Sequence, residues 1–150
     1  MGALRGAAAG LAATVPMTIV MEGLRAALPR EQSRRMPPRE VVDRTVQQAG
    51  KTHRVDRDER ILITTLAHLA FGAAAGALYG RFLGSRRNHP SGVEATFAGI
   101  AYGLAVWALA YGVVLPSLGL HTAAASDTKD RNGVLIASHA AWGVTLGRLC

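Results

Sequence analysis

The chain has 150 residues, the length of one domain, and 49% of them are hydrophobic, although only eight are aromatic. A net charge of +7 is compatible with a nucleic-acid partner in a soluble protein, but here the basic residues lie between apolar runs and among Asp and Glu. That pattern favours a membrane surface and speaks against nucleic acid, and the single cysteine, Cys150, excludes an internal disulfide.

Residues 61–80 and 95–126 contain no Asp, Glu, Lys or Arg, and 6–21 and 132–147 are shorter uncharged runs. A membrane-crossing helix needs roughly 18–20 mostly apolar residues. The two long runs pass that length, and they are apolar around their whole circumference rather than along one stripe, as a soluble bundle would be. The sequence therefore predicts an all-α, single-domain membrane protein over 1–150, a four-helix bundle with spans at about 4–28, 61–83, 93–118 and 134–149.

The first span places Gly6, Gly10, Thr14, Thr18 and Glu22 at intervals of four, a ridge of small residues ending in a carboxylate. Pro16 is expected to kink this helix. Glu22 and Arg25 follow the apolar run without a small-x-small cleavage pattern, so retention as a first span is expected rather than removal as a signal peptide. Pro37-Pro38 then opens an amphipathic helix over about 38–49, with Val41, Val42, Thr45, Val46 and Ala49 on one face and Gly50 as its stop. It is suited to the membrane surface or to capping the bundle. Lys51 to Arg60 reads as a solvated connection into the second span, where Gly72, Gly76 and Gly80 form another ridge. A basic turn, Ser85 to Pro90, leads to the third span with Gly99, Gly103, Tyr102, Trp107 and Tyr111, ending near Pro116. A polar connection, His121 to Gly133, precedes the last span with Gly143 and Gly147.

The second and fourth spans share a motif: His68, Phe71, Gly72, Gly76 in one and His139, Trp142, Gly143, Gly147 in the other. The third carries a degenerate copy, Gly99, Tyr102, Gly103. Gly10, Gly72, Gly76, Gly80, Gly99, Gly103, Gly143 and Gly147 are thus the expected helix-packing positions, since glycine lets helices approach closely.

Counting at 1.5 Å per residue from the end that holds 29–60, Glu22, His68 and His139 lie on the order of 8–10 Å deep, and Tyr111 is level with them. His121 caps that end. One carboxylate and two imidazoles suit a transition metal at Glu22, His68 and His139, and the two imidazoles alone suit a haem bound axially by His68 and His139. A third reading pairs Glu22 with a histidine, to neutralise charge or to pass protons. Trp107, Trp142, Tyr79 and Tyr102 read as packing residues, and His53 and His89 as loop residues without a specific role. The chain has no Gly-rich phosphate loop, Cys pair, H-E-x-x-H or nucleophile elbow, so an enzyme is not the expectation. The alternative to a cofactor is a structural or accessory subunit that packs in a homo-oligomer or a larger membrane complex. A transporter is a third option, with a pathway only in an oligomer.

Three stretches carry a family likeness. Pro37-Pro38-Arg39 at the loop helix, Ala67 to Gly80 in the second span and, in similar style, Ser138 to Gly143 in the last resemble uncharacterised bacterial inner-membrane proteins of the YagU-like kind. The resemblance implies a polytopic bacterial membrane protein and no catalytic role for any residue. Five of the seventeen basic residues (Arg5, Arg81, Arg86, Arg87, Arg148) fall on the side of the termini and twelve on the other. The positive-inside rule then predicts a cytoplasmic 29–60 loop and termini outside.

Overall fold

The computed structural model describes residues 2–30, 32, 37–82, 92–121 and 126–150. The basic turn at 85–90, with Arg86, Arg87 and His89, lies outside the described residues, as do Arg34 and Arg35. Five helices and no strand are present among those described: α1 (Gly2–Ala26), α2 (Pro37–Gln48), α3 (Arg57–Phe82), α4 (Val93–Ser117) and α5 (Lys129–Leu149). Three of them, α1, α3 and α4, are long and apolar enough to cross a membrane.

The fourth expected span is different. Its helix begins at Lys129, ahead of the apolar run, because the Thr128 hydroxyl accepts the Arg131 N–H and caps it there. The first turn therefore carries Lys129, Asp130 and Arg131, and α5 does not reach the length and apolarity of the other three.

Local chemistry sets the other ends. Asp56 caps α3 by accepting the N–H groups of Asp58 and Glu59, while the Glu59 carboxylate takes the Asp56 N–H in return. Gly50 ends α2 with a φ of 66°, and the Lys51 N–H closes back on the Val46 carbonyl. In α4 the α-helix widens into a π-helical turn at Ala110–Val114 before Pro116. Proline has no N–H for the carbonyl four residues back and crowds it, so the turn ahead of it relaxes to wider bonding, with the Leu115 N–H on Ala110. The first helix runs on through Pro16.

Two close antiparallel pairs make up the packing: α1 on α3, and α4 on α5, with α1 also against α5. Ala9, Ala13, Met17, Ala75, Tyr79, Trp142 and Leu146 form the buried cluster toward the termini, and Met21, Tyr111, Val134 and Leu135 a second one toward the other end. The outer faces stay apolar: Leu4, Ile19, Phe71, Phe82 and Phe97 are among twenty large hydrophobics left exposed in the described residues. α2 lies across the ends of three helices, with Val42 and Val46 turned in. Its Asp43 pairs with Arg60 of α3 at 3.1 Å, and its Arg44 and Gln48 donate to the carbonyls of Gly119 and Leu118.

Candidate functional site

The glycine ridges meet one another inside the chain. Gly6 and Gly10 of α1 lie against Gly80, Gly76 and Gly72 of α3, and a β-carbon at Gly76 would stand 2.7 Å from the Gly10 Cα. The last motif copy packs on the degenerate one: Gly143 and Gly147 meet Gly99, while Gly103 meets the backbone of His139. Two aromatic side chains lock the pairs together. The Trp142 indole donates to the Gly10 carbonyl at 3.0 Å, and the Tyr102 hydroxyl to the Ala75 carbonyl at 2.8 Å. Tyr79, Tyr102 and Trp142 stack at 5.1 and 6.1 Å between centroids. The equivalent aromatic of the first copy, Phe71, is exposed, so the repeat is one of sequence and not of environment.

His139 is buried, and its Nδ1 bonds the Leu135 carbonyl at 2.8 Å. An accepting carbonyl means that this nitrogen carries the proton. The Tyr111 ring stands edge-on to His139 at 5.8 Å and edge-on to His121 at 5.6 Å. The widened turn at Ala110–Val114 therefore holds one tyrosine between two imidazoles.

Beyond His121 lies a network for which sequence reasoning had assigned no site. His121 Nδ1 is 3.0 Å from the Glu40 carboxylate, and its Nε2 is buried without a hydrogen-bond partner, 4.0 Å from Asp127. Arg131 is almost fully buried and binds Asp127 through Nε at 3.1 Å, Glu40 at 3.4 Å and the Gln32 carbonyl at 3.1 Å. Asp127 and Arg131 are four apart across the start of α5, a spacing visible in the sequence. Glu40 lies about ninety positions away, and nothing in the sequence brings it to them. A guanidinium buried this deeply needs its carboxylates, because desolvating an unpaired charge costs several kcal/mol.

The remaining two members of the expected layer face elsewhere. Glu22 and His68 line a cleft of about 600 Å³ between α1, the start of α2 and α3. Past Gly10 and Gly72 the ridges end in Thr14, Thr18 and Glu22 on α1, and α3 presents Thr64, Thr65 and His68 opposite. These longer side chains stand where glycines would let the backbones touch, and the cleft opens between them. The four threonine hydroxyls donate to carbonyls of their own helices. Glu22 is held by Arg25 at 2.6 Å, and Arg39 reaches the cleft from α2. His139 does not line it. Among the described residues no three His, Cys, Asp or Glu side chains gather closely enough to hold a metal.

Compared with family models, with curated proteins and with solved structures, the chain matches none.

Proposed function

We propose that this is a small multi-pass membrane protein without catalytic activity, an accessory or structural subunit in a homo-oligomer or a larger membrane complex. One observation carries the reading. In the interior His139, Ser138, Thr14 and Trp142 bond within the chain, while the large apolar side chains face outward. Polar groups committed to such bonds are not available to a substrate, and an apolar exterior requires lipid or another membrane helix. The glycine ridges face each other, so the surface offered to a partner is the outer one, with Phe71 on α3 and Phe97 on α4. The YagU-like resemblance adds the bacterial inner membrane, and the distribution of basic residues adds a cytoplasmic 29–60 loop with termini outside.

The test is the protein mass of gently solubilised, tagged protein, measured by light scattering with the detergent subtracted. A mass well above the 15.8 kDa of one chain is expected, and a lone monomer at all concentrations overturns the accessory reading.

A second reading keeps a metal or haem, favoured by His68 and Glu22 sharing one cleft. Elemental analysis and a visible spectrum on purified protein, beside His68→Ala and His139→Ala, decide it. A stoichiometric metal or a Soret band lost in the variants supports the cofactor. A colourless, metal-free protein that packs normally supports the subunit.

A further inference from the structure

The cleft between α1, α2 and α3 has a polarity that packing does not account for. Toward the middle of the spans Val15, Ile19 and Leu69 line it beside Thr14 and His68, and Val15 and Ile19 are 55% and 68% exposed. Toward α2 it turns polar, with the Glu22–Arg25 pair and Arg39. Arg39 Nε is buried and has no hydrogen-bond partner among the described residues. A guanidinium nitrogen shielded from water and left without an acceptor is expensive, and such a donor is normally matched by an anion. The threonines add no free donor, because their hydroxyls are spent on helix carbonyls. Beside the Glu22–Arg25 pair the polar end holds the Arg39 guanidinium, and α2 presents its N-terminal, positive end there through Pro38 and Arg39.

We propose that this cleft binds an anionic amphiphile, a phospholipid whose phosphate-bearing head group meets Arg39 at the α2 end and whose acyl chain lies along Val15, Ile19 and Leu69. A volume of about 600 Å³ suits a head group and the upper part of one chain, and the open mouth lets the rest of the chain leave toward the bilayer. Basic pockets at the membrane boundary bind acidic lipid head groups by the same electrostatics. The site rests on the membrane placement of α1 and α3, not on the accessory role.

The experiment is native mass spectrometry of delipidated, detergent-solubilised protein titrated with phosphatidylglycerol, with phosphatidylcholine and with inorganic phosphate. Wild type should retain phosphatidylglycerol about tenfold better than phosphatidylcholine, the scale of one or two charge-assisted hydrogen bonds. Arg39→Gln should abolish that preference, whereas Arg54→Gln, on the exposed connection between α2 and α3, should keep it. Should Arg39→Gln fail to fold, Thr65→Phe fills the cleft while leaving every cation in place, and lipid retention should fall with it. Equal retention of the two lipids overturns the proposal, as does an unchanged preference in a folded Arg39→Gln protein or undiminished retention in Thr65→Phe. Inorganic phosphate displacing phosphatidylglycerol at equal concentration also overturns it, since the acyl chain then contributes nothing. A protein that stays monodisperse in water without detergent refutes the membrane placement itself, an outcome separable from the loss of lipid selectivity.

Discussion

The two ends of the molecule hold together by opposite means. Toward the termini, backbone lies on backbone: Gly6, Gly10, Gly76, Gly99, Gly143 and Gly147 bring α1 to α3 and α4 to α5 with no side chain between them. Toward α2 the helices are separated by side chains, and a buried ionic group made of Arg131, Asp127, Glu40 and His121 fills the space. The first device gains dispersion contacts and needs no polar partner, so it tolerates an apolar setting. The second ties α2 and α5 together through charges that are stable only as a set. Close approach at one end and splaying at the other also explain why the cleft opens where the glycines stop.

Breaking the glycine end should cost most. Gly76→Leu or Gly143→Leu puts a branched side chain against the backbone of the neighbouring helix, which can yield only by separating the pair. Overpacking where a side chain can move costs about 1–3 kcal/mol, and here it is main chain that must move. The expected outcome is loss of the monodisperse gel-filtration peak, and a Gly76→Leu protein that migrates and melts as wild type would refute the packing. At the polar end, Arg131→Met leaves Asp127 and Glu40 without their guanidinium, and a loss of about 3–5 kcal/mol is expected for a broken buried pair. Denaturant titration of the purified protein reads it. Adding Asp127→Leu should return part of that loss, because the second substitution removes a carboxylate that the first had stranded.

Trp142→Phe and Tyr102→Phe sharpen the comparison by keeping the ring and deleting one hydrogen bond to a backbone carbonyl. Each should cost about 1 kcal/mol in the same titration. A much larger loss would mean that these bonds, and not glycine contact, hold the α1/α3 pair to α4 and α5. The smallest effect is expected at Glu22→Gln. Its bond to Arg25 is 48% exposed on the carboxylate side, so its stability contribution should be close to zero on a scale where exposed pairs give about 0.2–1 kcal/mol. A severe loss of stability there would restore Glu22 to the buried interior.

Much of the architecture was legible because it follows from local rules. Uncharged length announced α3 and α4, a shorter uncharged run marked α1, the proline pair and Gly50 bounded α2, and four-residue glycine spacing marked the faces along which helices meet. These properties belong to neighbouring residues on one helix, so periodicity reports them. Which ridge meets which was not legible. His68 to Gly76 and His139 to Gly147 repeat one motif. In the fold, the first copy meets α1 and the second meets the degenerate copy in α4. The start of α5 does not follow from apolarity: the apolar run begins at Val134, whereas capping by Thr128 extends the helix through a charged turn.

Depth along a helix carries no information about direction around it. Glu22, His68 and His139 can be level and still face different neighbours, as Arg25, the cleft and Tyr111 show. The sequence by itself determined the helices, their apolar exteriors and the glycine faces, because each depends on composition and spacing over a few turns. Only the tertiary structure decided that Glu40 meets Arg131 and His121, that Tyr111 stands between two imidazoles, and that Arg39 reaches a cleft between α1 and α3. Those meetings depend on the rotation and crossing of helices far apart in the chain, which no local pattern encodes.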